Sequence, residues 1–408
     1  MFSIEKSKIW LTNFLFLYLP FYLLTFEQNG LQAQDYEPVQ CVTAMPYKGP
    51  PLHSPLDDEI WMKFSIDLSG QMPSDIELNL DALTDEILGL TGSPAISAAI
   101  GIPGKGLCSV SKGTALRGSD RHVDSTSYFH WASVGKAFTA TAVIQLIEAN
   151  KLGYEDPLAN WFPDFPNAGA ITIGHLLTHT SGIFSFNSDL PFREERDYKT
   201  PLELLGIAQK HGNAFCPGEY WAYSNTNYVL LALILEKIEQ KPFHLILTER
   251  IIEPLALTHT IALAPRQKLP GLVKGHTAEG PEESFEETTP FGAGIIVASA
   301  GDMIRFWHAF LSGKLISPAS VKSAYQTLYQ MFQPGIYYGR GVMLYDVKND
   351  AGERVVWWLG HSGGTPGLKT IIACDIESGI YVAVALNNPS SAEASANKLM
   401  SAVKASLE

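Results

Sequence analysis

The sequence predicts an α+β fold: an antiparallel sheet flanked by helices, with a mainly helical domain inserted into it. Three observations carry this. Strand-like runs occupy both ends of the chain, within residues 95–112 and 295–386. Between them, residues 156–274 carry mostly helical signals punctuated by Pro and Gly. Hydrophobic residues make up 46% of the 408 and charged residues 17%, which supports a large core and excludes a coiled coil, a collagen and a largely disordered chain. Strands at both ends with helices between them point to one sheet closed by both termini. The domains read from this pattern are residues 81–137 with 290–408 for the sheet and 138–289 for the helices.

The chain begins with Lys6 and Lys8 ahead of residues 9–26, which carry no charge; Glu27, Asn29 and Gly30 end that run. Leu31, Gln32 and Ala33 offer a small residue to a signal peptidase. Residues 1–33 therefore read as a secretory signal cleaved near Ala33, and the protein as periplasmic or secreted. The rival reading is an uncleaved anchor, since 18 apolar residues are just long enough to span a bilayer. Membrane contact is expected only through that segment. Export places the chain where disulfides form. Yet Cys41, Cys108, Cys216 and Cys374 show no paired spacing, so sequence alone assigns no bridge and no zinc site. Residues 34–80 hold six prolines without periodicity and read as an extended segment that wraps the domain or stays loose.

Residues 95–102 and 107–112 read as two strands joined by a tight Pro103-Gly104-Lys105-Gly106 turn. A helix is expected over about 133–150, with Val134, Phe138, Val143, Leu146 and Ile147 on a buried face. The apolar run 229–235 is too short to span a bilayer and reads as a core helix. Residues 277–290, with five Glu and two Pro, read as a solvated loop. Strands follow at 295–298, 355–359, 368–374 and 380–386, and a last helix at 392–407. The formal charge of −13, with no run of Lys or Arg, excludes nucleic acid as a natural partner.

Four motifs carry potential chemistry. Ser133 and Lys136 stand three residues apart at a helix start, which puts both side chains on one face. A neutral amine beside a serine alcohol can take its proton. The bland reading is an exposed lysine one turn after a helix cap. Tyr223-Ser224-Asn225 opens a helix; a phenol near an ammonium has a lowered pKa and can shuttle a proton, while Ser224 or Asn225 could equally be a cap. Gly360-His361-Ser362-Gly363-Gly364 matches Gly-x-Ser-x-Gly, but no helix follows and no His occurs after His361. It reads instead as a strand edge whose glycines let another backbone approach. His175 and His179 have zinc-protease spacing, but Leu176 stands where that motif needs Glu, so they read as packing.

Taken in order, Ser133-x-x-Lys136, Tyr223-x-Asn225 and the His361-Ser362-Gly363 strand resemble the serine β-lactamase and penicillin-binding-protein superfamily. The likeness is to its class C β-lactamase, D-alanyl-D-alanine carboxypeptidase and esterase branch. It extends over Leu176-Leu177-Thr178-His179-Thr180-Ser181-Gly182, Gly292-Ala293-Gly294, Tyr338-Gly339-Arg340-Gly341 and Gly360 to Gly367, about residues 84–405. The resemblance implies a β-lactamase/transpeptidase-like fold and an exported serine hydrolase. Ser133 would be acylated, and Lys136 and Tyr223 would relay its proton. Asn225 would orient Lys136 and the substrate amide. The backbone N–H groups of Ser133 and Gly364 would form the oxyanion hole, and His361, Ser362 and Gly363 would line the substrate strand. No metal or organic cofactor is implied. The substrate would be a small D-amino-acid or cell-wall peptide, a β-lactam or an ester. The alternative is a non-catalytic envelope protein of the same fold that binds peptidoglycan or a partner. The first hairpin would lie on the far side from strand 368–374, separating Cys108 from Cys374. Two departures stand out. His361 replaces the usual Lys; its charged form would help to hold an anion, whereas its neutral form would only donate a hydrogen bond, to Tyr223 or the substrate. Met343 stands near where a carboxypeptidase benefits from a cation.

Overall fold

Strand β1 (Ala95–Ile102) reads Ala-Ile-Ser-Ala-Ala-Ile-Gly-Ile and is buried along its whole length. Such a run needs a layer on each face. The computed structural model describes residues 36–194, 197–282 and 286–407, and shows both layers. The expected signal peptide lies outside the described residues. Helix α1 (Ile60–Phe64) and helix α2 (Ser74–Thr91) precede β1, which turns into β2 (Gly106–Gly113). Then come β3 (Phe129–His130), α3 (Gly135–Glu148), α4 (Ile173–Thr178), α5 (Leu190–Glu194), α6 (Pro201–His211), α7 (Asn225–Glu239) and α8 (Phe243–Leu247). The chain continues through β4 (Thr260–Ala262), β5 (His276–Thr277), β6 (Gly280–Pro281), β7 (Ile296–Ala298), α9 (Ala300–Leu311) and α10 (Pro318–Gln326). It closes with β8 (Tyr329–Gln330), β9 (Ile336–Tyr338), β10 (Met343–Lys348), β11 (Arg354–Thr365), β12 (Leu368–Asp375), β13 (Tyr381–Leu386) and α11 (Ala392–Leu407).

The main sheet runs β2-β1-β13-β12-β11-β10-β9-β8 and is antiparallel throughout. The first hairpin therefore pairs with the last strand, in the register Ile96↔Leu386 to Gly101↔Tyr381. Strand alternation splits the core in two. Ile96, Ala98 and Ile100 pack with Ile76, Leu80 and Ile87 of α2 and Leu399 and Val403 of α11. Ala95 and Ala99 face the larger cluster, which takes in α3, α7 and α9. That cluster joins Phe64, Val143, Leu231 and Leu359, so one core crosses residues 137–138 and 289–290, and residues 38–407 form one compact unit.

Helix α3 differs from the amphipathic helix expected. It begins after a short 3-10 turn, Ala132–Val134, and is buried all round from Gly135 to Ile144. A helix apolar on every side belongs at the centre of a core. Phe138 stacks on Phe306 of α9 with centroids 3.6 Å apart; burying one such side chain contributes about 1.5–3 kcal/mol.

Residues 277–290 are less solvated than their charge suggests. Glu282 Oε2 accepts from Thr365 Oγ1 at 2.7 Å and from the Gly367 N–H at 3.1 Å. Glu287 is buried and pairs with Lys274 at 2.5 Å. Partners distant in sequence compensate these charges, so composition alone misplaces them.

The segment read as extended over 34–80 is interrupted by α1 at Ile60 and ends where α2 starts at Ser74, and from residue 38 onward it wraps the domain. Its amides donate from Met45 to the Pro217 carbonyl (2.8 Å), from Lys48 to Glu219 (2.8 Å) and from His53 to Leu328 (3.0 Å). Cys41 and Cys216 form a disulfide across 175 residues. Cys108 and Cys374 are free. They sit on β2 and β12, with β1 and β13 between. The hairpin lies nearer to β12 than the resemblance implied, since β13 alone separates β1 from it. Cross-links over long loops constrain the unfolded chain, typically by about 2–4 kcal/mol. Cys216→Ala should lose stability of that order in urea unfolding of the oxidised protein. Dithiothreitol should lower the wild type towards the variant and leave the variant unmoved. Equal midpoints for oxidised wild type and variant would show that the bridge contributes nothing.

Candidate active site

From Phe129 to Ile144, Ser133 is the single residue that is not buried. Trp131 anchors the turn that presents it. Its backbone N–H donates to Ile296 O and its indole N–H to Ala298 O, both at 2.9 Å. Ala132 then takes φ 46°, a left-handed conformation that a non-glycine residue adopts only when its surroundings hold it there. Gly363 makes this turn possible against β11. A Cβ there would lie 2.5 Å from Trp131 O and 2.9 Å from Ser133 N.

Lys136 Nζ donates to Ser133 Oγ at 3.1 Å and to Ala293 O at 3.0 Å. It has no exposed surface, contrary to the bland reading of an exposed lysine. Burial drives its pKa well below the ordinary lysine value. The driving force is desolvation, which favours the neutral amine. The Tyr223 and Tyr228 rings lie 5.0 and 5.6 Å from Nζ. Tyr223 hydrogen-bonds Ser133, which lowers its pKa, but burial outweighs that bond and pushes the phenol up. This corrects the lowered phenol expected from sequence: desolvation of the buried ring outweighs every neighbour.

His361 is buried; its Nδ1 donates to Ser362 O at 2.7 Å and its Nε2 lies 3.1 Å from the Tyr338 hydroxyl. Its partner is Tyr338, not Tyr223. Burial, then Lys136, lowers its pKa to about 3 against the Ser362 bond. The neutral alternative is therefore the one its burial supports. Asn225 also departs from expectation. Its Nδ2 donates to Asn187 Oδ1 at 2.8 Å, and Ala293 O occupies the second hydrogen bond of Lys136. Ser362 lies within β11 against the Met343 sulfur, 3.7 Å from its hydroxyl, with no helix after it, so the elbow reading fails in the structure too. A cation does border this strand, from β12: Lys369 Nζ stands 2.8 Å from where a Cβ would sit at Gly364. Arg340 turns away, with its guanidinium 4.1 Å from the Tyr154 ring.

The sequence reading missed three groups. Tyr338 is fully buried and lies 3.2 Å from the Tyr228 hydroxyl, which donates to Leu177 O at 3.0 Å. His179, read as packing, has its ring 4.3 Å from Tyr223 and 4.6 Å from Tyr338. His175, by contrast, is a local cap: its Nδ1 accepts from the Thr172 N–H at 3.1 Å. The signal for Tyr338 and His179 was their place in stretches already quoted for the resemblance.

A family model described as Beta-lactamase matches residues 80–405. A penicillin-binding protein of Bacillus subtilis (strain 168) is 31% identical over 272 residues, 62% of this chain and 59% of the relative. The teichoic acid D-alanine hydrolase of Staphylococcus aureus is 26% identical over 234 residues, 55% of this chain and 57% of the relative. The chain thus spans less than two thirds of the length of these curated relatives. Among solved structures, the D-amino acid amidase of Ochrobactrum anthropi SV3, complexed with L-phenylalanine, superposes with a TM-score of 0.74 at 24% identity, covering 82% of this chain and 100% of that one. That likeness shows a shared α+β fold. With four-fifths of its length under one family model, the chain belongs to the beta-lactamase family, serine hydrolases of the β-lactamase and penicillin-binding-protein type.

Proposed function

We propose that the protein is an exported acyl hydrolase that forms an acyl-enzyme on Ser133 and cleaves amide or ester bonds of D-amino-acid or cell-wall peptides, β-lactams or esters. The observation that carries this is a half-buried serine whose hydroxyl lies 3.1 Å from a fully buried amine. The neutral Lys136 takes the proton as Ser133 Oγ attacks the carbonyl carbon. The oxyanion forms at the Ser133 and Gly364 N–H groups, where charge develops. Lys136 then returns the proton through the neutral Tyr223 phenol to the leaving group, and water releases the acyl group by the reverse relay. Asn225, His361, Ser362 and Gly363 line the substrate path. Lys369 beside Gly364 supports a substrate that carries a carboxylate. The names of the amidase and the D-alanine hydrolase support D-amino-acid derivatives. The Cys41–Cys216 bridge and the leader sequence support export. A binding protein without catalysis would need neither the nucleophile nor its buried base.

Turnover of a panel of D-amino-acid amides, D-peptides, esters and β-lactams tests this reading. Hydrolysis of at least one class, lost in Ser133→Ala, supports it; no turnover and no covalent adduct on any of them would sink it. The same panel decides the role of His361. With its pKa at about 3, its ring is neutral throughout the working range. Protonation would begin only as pH falls towards that value. Wild type should therefore owe this ring no kcat/KM limb near the free-imidazole value of about 6.5, with either an anionic or a neutral substrate. His361→Gln should keep the same limbs. A limb near that pH that vanishes in the variant would assign a charge role to His361.

A further inference from the structure

Tyr223 lies in an irregular loop before α7, yet a proton relay needs its hydroxyl held to within a fraction of an ångström. Something must fix it, and the loop's own hydrogen bonds name the fixture. The Ala222 N–H donates to the His179 carbonyl at 3.0 Å. The Ser224 N–H donates to His179 Nδ1 at 3.3 Å. Both backbone donors that flank Tyr223 therefore end on one residue, whose ring also lies 4.3 Å from the Tyr223 ring. Asn227 Nδ2 makes a second approach to Nδ1, at 3.3 Å, and itself stands on α7. His179 sits at the end of α4 with φ 61°, a left-handed turn that Asn, Asp and His tolerate better than most residues.

We propose that His179 is a positioning residue for Tyr223, acting as a neutral imidazole protonated at Nε2, with Nδ1 as the acceptor that seats the loop. This rests on the reading of Tyr223 as a relay group. The tautomer follows from the partners. A backbone N–H can only donate, so Nδ1 must accept, and the single proton goes to Nε2. That Nε2 is buried without a hydrogen-bond partner. An imidazolium would place a proton at Nδ1 facing the Ser224 N–H, and the seat would be lost. The groups facing the ring supply no anion to favour a charge: Lys136 from α3, His361 from β11, and the buried, neutral phenols of Tyr223 from the loop, Tyr228 from α7 and Tyr338 from β9. Burial first, then Lys136 and His361, hold its pKa well below the ordinary value.

Two substitutions separate seating from packing. His179→Phe keeps an aromatic ring and deletes the Nδ1 acceptor. His179→Asn deletes the ring, keeps an acceptor oxygen near the Nδ1 position and tolerates the left-handed backbone. Misplacement of a catalytic group by about 1 Å costs on the order of 10²-fold. In the full-length protein, His179→Phe should therefore lose about that much kcat with little change in KM, and His179→Asn should recover most of it. The reverse order, an active Phe variant and an inactive Asn variant, would overturn the proposal in favour of packing. Nitrogen-15 NMR of histidine-labelled wild type supplies a reading independent of the variants. The resonances assigned to His179 should report a neutral, Nε2-protonated ring from about pH 5 to 9. An Nδ1-protonated or charged ring in that range would overturn it, even where a variant fails to fold. Failure of the underlying enzyme reading looks different, since wild type would then take no fluorophosphonate label at Ser133.

Discussion

Ser133→Ala is expected to abolish turnover, with a loss on the order of 10⁶, the magnitude seen when the nucleophile of a serine protease is removed. The size follows from the geometry. Ser133 is the half-buried residue in an otherwise buried stretch, and Lys136 spends its bonds on that hydroxyl and on the Ala293 carbonyl. The variant should fold, because Lys136 keeps that carbonyl at 3.0 Å and the 3-10 turn is held by Trp131. A fluorophosphonate or a slowly released β-lactam should add its mass to the tryptic peptide of residues 122–136 and map to Ser133, not Ser125 or Ser127. Label on Ser362, or full activity in Ser133→Ala, would end the assignment.

Tyr223→Phe should lower kcat by about 10²–10⁴-fold, the usual worth of a general acid–base group. Stability should change little, because the ring contacts to His179 and Trp221 remain. The pH profile supplies the sign. Catalysis needs the neutral Lys136, so activity is full above its folded pKa and falls as pH drops through it. That pKa lies well below the ordinary lysine value, so the acidic limb should appear far below it. Tyr223→Phe should keep this limb, since burial, not the phenol, depresses the amine. An unchanged kcat in the folded variant would remove Tyr223 from the relay.

Much of the fold was legible because its signals are local. The strand runs 95–102 and 380–386 lack charge and carry small or β-branched residues, and their pairing follows from a sheet closed by both chain ends. The Gly360–Gly364 run was read as strand on its glycines and on the lack of a helix after it, and β11 confirms it. What misled was burial. The acidic residues near 277–290 looked solvated because no local pattern reveals Thr365, Gly367 or Lys274 as partners. The Cys41–Cys216 bridge was equally hidden, since a pair 175 residues apart is joined only after the N-terminal segment wraps the domain.

The site divides along the same line. Sequence by itself determined which residues are present and their local spacing. Ser133 and Lys136 one helical turn apart, Tyr223 before a helix and His361 on a strand all follow from backbone periodicity. Tertiary structure alone decided their protonation states and partners. Lys136 is pushed towards its neutral amine, the Tyr223 phenol kept protonated and His361 left uncharged because packing removes water from all three, and desolvation penalises charge whatever the residue type. It also seated Tyr223 on His179, gave Ala293 the place expected of Asn225 and brought Lys369 beside Gly364. Each of these joins residues from different elements, and a distance between elements is set by the packing of the whole core.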